Sequence, residues 1–178
     1  MAGIQEQALA ALDLRPDDVL LDVGCGTGAA IRGAAPAVTL AVGVDVSPAM
    51  VEQDRGWPGL PSNAEFRVGE SRRLPVEDGE FTGLLCTNSF HHYPDPDQAA
   101  AEMARALSPG GRIVIGDGCA DSRAARIADV VLRQVERSHV RLYRSGELGG
   151  ILWRAGFRAL EVRRLWDGGY IFVRGVKA

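Results

Sequence analysis

Leu21-Asp22-Val23-Gly24-Cys25-Gly26-Thr27-Gly28 is the stretch that decides the fold. It reads as the end of a buried strand, a glycine-rich turn and the opening of a helix. Glycine has no Cβ, so such a turn lets a ligand press against bare backbone and lets the chain adopt φ > 0. The helix behind it offers unpaired N–H groups and a partial positive charge to an anionic group. A nucleotide-type cofactor is the expected occupant, and the residues around the glycines decide which one.

Outward from that turn, strand and helix patterns alternate. Val19 to Val23 is the strand leading into it, and Thr27 to Ala35 the crossover helix, stopped by Pro36; Ile4 to Leu12 is a short helix before both. Thr39 to Val44 is a near-continuous apolar run, as a strand buried on both faces requires. Ser47-Pro48 caps the next helix, with serine at N-cap and proline first inside, and the rigid loop Arg55 to Pro61 ends it. Glu65 to Val68 and Phe81 to Thr87 are the third and fourth strands. Asp95-Pro96-Asp97-Gln98 starts a helix with a capping-box pattern, and Ala99, Met103 and Ala106 recur behind it. Pro109-Gly110-Gly111 stops that helix before the fifth strand, Arg112 to Gly116. A longer helix from Ser122 to Ser138 carries Ile127, Val131 and Val135 along one face, and Ser145 to Ala155 is the last helix. Phe157 to Leu165 and Tyr170 to Val176 flank Asp167-Gly168-Gly169, a hairpin signal. The expected fold is α/β: a doubly wound, mostly parallel seven-stranded sheet with an antiparallel C-terminal hairpin strand and helices on both faces.

The chain has 178 residues, within the range of one domain, with 46% apolar and 24% charged residues, an ordinary globular balance. No apolar run approaches the ~20 residues that span a bilayer, and Met1 to Asp18 lacks the basic start of a signal peptide. Cys25, Cys86 and Cys119 are odd in number and lack metal-ligand spacing, so they read as buried thiols of a cytoplasmic protein without a metal site. The net charge of −3 is unevenly spread: residues 1–120 carry 8 Lys/Arg and 17 Asp/Glu, residues 121–178 carry 12 and 6. The basic C-terminal third is either attractive to an acidic partner or an arginine-studded, solvated helix face. It is neither dense nor aromatic-interleaved enough to argue for nucleic acid.

The glycine loop also fits the dinucleotide fingerprint G-x-G-x-x-G/A through Gly24, Gly26 and Ala29, so the loop alone does not separate cofactors. Asp45, at the end of the second strand, suits ribose hydroxyls in either class. Asp22 does separate them: it lies inside the first strand, where dinucleotide sites want an apolar residue. A buried carboxylate costs several kcal/mol unless it is paired or hydrogen-bonded. It is accounted for by a cationic ligand, such as an amino acid's ammonium beside a sulfonium, or else by a role in orienting the loop backbone. A terminal hairpin is also unusual in nicotinamide-binding domains.

Four further segments occur in order: Gly43-Val44-Asp45-Val46-Ser47 with Met50, Gly69-Glu70-Ser71-Arg72-Arg73-Leu74-Pro75, Asn88-Ser89-Phe90-His91-His92, and Leu107-Ser108-Pro109-Gly110-Gly111-Arg112. With them the chain resembles the small, type 11-like class I S-adenosylmethionine-dependent methyltransferases over about residues 15–160, and residues 1–178 are expected to form one Rossmann-like domain of that kind. The resemblance implies that Gly24, Gly26 and Gly28 wrap the methionine part of the cofactor, with Asp22 near its ammonium. It implies that Asp45 accepts both ribose hydroxyls and that Val46 and Met50 pack on the adenine. Glu70, where the family usually has aspartate, would accept from the adenine amino group, Ser71 would offer its backbone N–H, and Asn88 would line the pocket floor near the methyl.

Methyl transfer from a sulfonium is an in-line displacement in which the protein chiefly positions the reactants. A base is needed where the acceptor must lose a proton. His91 and His92, after the fourth strand, are the candidate catalytic residues, as base or acceptor contact; the alternative is loop capping or packing over the cofactor, and Tyr93 shares that ambiguity. Trp57, Trp153, Trp166 and Tyr170 are expected in core or lid packing. The acceptor is expected to be a small molecule or, alternatively, an exposed group on a larger one, its pocket left open or completed by a homodimer. The rival readings are a cofactor-binding protein without methyl transfer and a nicotinamide-dependent oxidoreductase.

Overall fold

A computed structural model of the chain describes residues 3–135 and 139–178. In chain order the regular elements are α1 (Ile4–Leu12), β1 (Val19–Val23), α2 (Ala29–Ala34), β2 (Leu40–Asp45), α3 (Pro48–Arg55), β3 (Ala64–Val68), β4 (Phe81–Thr87), α4 (Pro96–Ala106), β5 (Leu107–Gly118), α5 (Arg123–Val135), α6 (Ser145–Arg154), β6 (Phe157–Leu165) and β7 (Tyr170–Lys177). The seven strands form one sheet in the order β3-β2-β1-β4-β5-β7-β6. The pairs β1–β2, β2–β3, β1–β4 and β4–β5 are parallel, while β7 runs antiparallel to both β5 and β6. This is the expected doubly wound sheet, with β7 threaded between β5 and β6.

Adjacent residues of a strand point to opposite faces, and two apolar clusters form accordingly. Leu21, Val23, Leu84, Met103 and Ile113 share one, under α4 and α6; Leu20, Ile31, Val51, Leu85 and Val114 share the other, under α1, α2 and α3. At the edge of the sheet, β6 shows solvent Arg158, Glu161, Arg163 and Arg164, charges that discourage pairing with another chain.

The caps follow the sequence. Ser47 Oγ accepts from Met50 N–H at 3.4 Å with Pro48 first in α3, and the Asp95 carboxylate accepts from Gln98 N–H at 3.0 Å. Three boundaries differ from expectation. The helix after the glycine loop is shorter, and Pro36 sits inside a 3-10 turn, Ala35–Ala37, rather than beyond a helix end. Strand β5 begins at Leu107, which pairs with Phe81, and Pro109-Gly110-Gly111 forms an irregularity within it before Arg112 pairs with Gly83. The turn between β6 and β7 is a 3-10 turn, Trp166–Gly168, with positive φ at all three residues.

The sequence pattern leaves two side-chain placements open, and the structure decides them. The solvated face of α5 carries Ile127, Val130, Val131 and Val135, at 52–73% exposure, while Asp129 on the opposite side is buried. Polar bonds hold the helix: Asp129 Oδ1 accepts from Leu142 N–H at 2.7 Å and lies 2.8 Å from His139 Nε2. The end of the expected helix, 136–138, lies outside the described residues. Trp57, Trp153 and Trp166 are exposed rather than core; the first two are covered by the guanidinium groups of Arg32 and Arg158, and only Tyr170 is buried. Stacking on a cation lets an indole stay wet on one side. Among the described residues no helix is long and apolar enough to cross a membrane.

Candidate active site

The chain leaves β1 in one direction to build β2 and β3, then returns on the other side of β1 to build β4 and β5. Beyond the carboxyl ends of the strands at such a reversal, open α/β sheets leave a crevice. The glycine loop lies there. The N–H groups of Gly24 and Cys25 both donate to Val44 O, at 2.8 and 3.1 Å, pinning the loop to the end of β2.

The three glycines serve separate needs. All take positive φ, at 77°, 52° and 63° for Gly24, Gly26 and Gly28. A Cβ on Gly24 would stand 1.9 Å from Ser89 Oγ, and one on Gly28 would stand 2.6 Å from the Phe66 ring. A Cβ on Gly26 would meet nothing within 4 Å, so its need is conformational.

A cleft of about 610 Å³ opens over the loop, a size typical of ligand sites. Val23, Gly24 and Gly26 form one wall, Val44 to Ser47 with Met50 a second, Gly69 to Arg72 a third, and Ser89 with His92, Tyr93 and Pro94 the far end. Asp45 is oriented in advance: Oδ2 accepts from Gly26 N–H and Oδ1 from Ser47 N–H, both at 2.9 Å. Each oxygen keeps a second lone pair for a ligand hydroxyl. Val46 and Met50 leave apolar side chains in the open, at 66% and 37% exposure. The Glu70 carboxylate is exposed and takes a 3.0 Å ion pair from Arg72.

Asp22 lies beneath the loop at 2% exposure, and its Oδ1 is buried without a hydrogen-bond partner. Burial, reinforced by the charge of Asp45, pushes its carboxyl up to about 7. The neighbouring Cys25 thiol is pushed far above its ordinary value by burial and the surrounding carboxylates, which leaves it inert.

At the far end, Tyr93 is buried, with its hydroxyl 2.8 Å from Ser89 Oγ and donating to Val23 O at 3.2 Å. The two adjacent histidines occupy different surroundings. His92 lines the cleft. His91 lies behind it, with its ring centroid 3.8 Å from that of His92. Its N–H donates to Asp117 Oδ2 at 2.9 Å, and its Nδ1 lies 2.7 Å from Asp117 Oδ1. An ionised carboxylate only accepts, so this geometry places the ring proton on Nδ1. The ring of His139, carried by the segment after α5, stands 5.2 Å from that of His91.

Of the residues singled out in the sequence, Gly24, Gly26, Asp45, Val46, Met50, Glu70, Ser71 and His92 therefore meet around one cleft. Asp22 and Gly28 lie under it. Asn88 lies outside the lining: it takes φ 51°, a left-handed conformation that asparagine tolerates, and its side chain is exposed while Ser89 fills the wall. Arg72, Ser89 and Asp117 were not singled out. An acid at the end of β5, beside the loop after β4, was the available signal for Asp117.

The comparisons agree with this geometry. The model of a methyltransferase domain family matches residues 21–115, more than half of the chain. An uncharacterized 37.1 kDa protein in transposon TN4556 of Streptomyces fradiae is 37% identical over 157 residues, covering 85% of this chain and 45% of that protein. The 27-O-demethylrifamycin SV methyltransferase of Amycolatopsis mediterranei is 36% identical over 110 residues, covering 60% of this chain and 40% of that enzyme. The chain thus spans under half the length of these curated relatives. The crystal structure of YcgJ from Bacillus subtilis superposes with a TM-score of 0.86 at 20% identity, over 98% of this chain and 97% of that one. The chain belongs to the methyltransferase domain family, with the fold and cofactor class of the S-adenosylmethionine-dependent class I methyltransferases.

Proposed function

We propose that this chain is an enzyme that transfers the methyl group of S-adenosylmethionine to a small-molecule acceptor, and that residues 1–178 form one methyltransferase domain. The observation that carries this reading is Asp22, a buried carboxylate with one oxygen unpartnered under a glycine loop. An amino-acid ammonium is the group whose arrival would complete it. At Gly26 a Cβ would meet nothing within 4 Å, so bare backbone faces the cleft beside Asp45, which fits the close approach of such a ligand. When bound, the cofactor supplies an electrophilic methyl on a sulfonium.

In this reading Gly24 and Gly26 line the methionine end of the cofactor, with Gly28 completing the turn. The Asp45 carboxylate holds the ribose hydroxyls, and Val46 and Met50 cover the adenine. Glu70 and the Ser71 N–H meet the edge of the ring, with Arg72 competing for the Glu70 charge. His92 faces the cleft, where it contacts the acceptor and takes its proton where one must leave; His91 backs it, held by Asp117. Asn88 has no part in this proposal.

A small-molecule acceptor is supported by the rifamycin-type acceptor in the name of one relative. Three buried free thiols support a cytoplasmic setting. The proposal includes no nucleic-acid substrate and extends to a homodimer. Calorimetric titration with S-adenosylmethionine, S-adenosylhomocysteine and NAD is the first test: the sulfur ligands should bind and NAD should not. NAD binding without either sulfur ligand would overturn the reading. Radiolabelled methyl transfer into cell extract should then mark the small-molecule filtrate; label confined to protein or nucleic acid would reject the acceptor class.

A further inference from the structure

Outside the cleft lining, a cluster of three side chains joins the glycine loop to α3. Arg32 Nη1 donates to Thr27 O at 2.7 Å and to Asp54 Oδ1 at 3.3 Å. Its guanidinium carbon sits 3.9 Å from the centroid of the Trp57 ring, which covers the cation. The Asp54 side chain is 1% exposed, and a Cβ built on Gly28 would lie 2.9 Å from its carboxyl carbon. One guanidinium therefore grips a carbonyl inside the loop and a carboxylate packed under the loop's last glycine.

Both ends of that grip lead to the cleft. Thr27 stands between Gly26, which lines it and donates to Asp45, and Gly28, which caps α2. Asp54 belongs to α3, whose first turn carries Ser47 at its cap and Met50, both in the opposite wall. The two walls are thus coupled through Arg32. An arginine suits the task because one terminal nitrogen, Nη1, carries two N–H groups, one for each acceptor, while the flat face of the guanidinium stacks on an aromatic ring.

Resting on the reading that the cleft holds an adenosyl cofactor, we infer that Arg32 is a positioning residue for cofactor binding, fixing the glycine loop against α3. A merely structural ion pair would govern stability alone. A positioning residue governs the separation of the walls, hence affinity, even where the protein is fully folded.

The test is calorimetric titration of the full chain with S-adenosylhomocysteine, well below the melting temperature of each variant, with thermal unfolding in parallel. Arg32→Ala should weaken binding about tenfold. Arg32→Lys keeps a cation for Asp54, but its ammonium ends one bond short of Nη1 and has no flat face for Trp57, so it should lose the Thr27 contact, melt close to the wild type and still bind about threefold more weakly. It keeps the inference testable if the alanine variant does not fold. Affinities in Arg32→Ala, or in Arg32→Lys should the alanine variant not fold, equal to the wild type within error would overturn the inference, whatever happens to the melting temperature. Failure of the wild type itself to bind would remove the cofactor reading and this inference with it, an outcome distinct from equal binding by all.

Discussion

Asp18 and Asp22 mark the two ends of β1, both at 2% exposure, and they are opposites. Asp18 is complete. It accepts from Arg15 N–H at 2.6 Å and from the Thr82 hydroxyl at 2.7 Å, and it pairs with the buried guanidinium of Arg112. Burial alone would raise its carboxyl, but the Thr82 and Arg15 hydrogen bonds and the Arg112 charge hold it below the ordinary value. Asp22 has burial without compensation, and its carboxyl rises to about 7. A fold tolerates an incomplete buried carboxylate at one end of a strand where a ligand is meant to finish it. The saturated end ties the base of the sheet; the unsaturated end is the site.

The largest effect should come from the saturated end. Asp18→Ala leaves Arg112 buried without its partner, and stability should fall by about 3–5 kcal/mol in urea unfolding at pH 7. Because the folded-state pKa is lowered, this contribution is present above the ordinary carboxylate range and fades as the wild type is acidified through the lowered value. A loss below 1 kcal/mol at pH 7 would show that Asp18 is not the anchor its geometry describes.

Asp22→Asn should act in the other direction on the free protein. The folded-state carboxyl titrates near 7, above its ordinary 3.8, so ionisation costs stability over that interval. The penalty grows as pH rises from about 4 and is complete above about 7, at most about 4 kcal/mol. The amide should therefore stabilise the free protein at pH 8 and leave it unchanged at pH 4, while S-adenosylhomocysteine binds more weakly. A variant that is less stable at pH 8 would mean that the carboxylate has a partner in solution, and the contrast between the strand's two ends would collapse.

Local chemistry explains how much of this was legible in the sequence. The bounds of β1 and β4 follow directly from apolar runs cut by glycine, proline or polar turns, those of β6 from the glycines on either side of it, and the Ser47 and Asp95 caps sit where side-chain acceptors precede a proline. Asp22 and Asp45 were readable because an acid at the end of a buried strand has few structural excuses. What the sequence hid is distance in three dimensions. The acid at the end of β5 marks Asp117 as a candidate but does not say that it meets His91, 26 residues earlier, and adjacency in sequence conceals that His92 lines the cleft while His91 does not. The stripe of α5 misleads for a different reason: helical periodicity shows that two faces differ but not which one is buried. α4 buries its small and apolar residues, Ala99, Ala100 and Met103; α5 turns Ile127, Val130 and Val131 outward because Asp129 is the side chain that meets the body of the protein.

Asp129 gives the smallest and most local version of the contrast at β1. It is a saturated carboxylate like Asp18, accepting from Leu142 N–H at 2.7 Å and Arg133 Nη2 at 2.6 Å beside the His139 ring, but it holds one peripheral helix rather than the base of the sheet. Asp129→Ala should cost about 1–3 kcal/mol, the usual loss when buried partners are left unmade. The effect should be concentrated in faster proteolysis around α5. Val131→Asp, on the opposite face of the same helix, should stay within about 0.5 kcal/mol of the wild type, since it adds a charge where water already reaches. If instead Val131→Asp destabilises the protein by more than Asp129→Ala, the helix is held in solution by its apolar stripe, and polar anchoring of α5 is wrong.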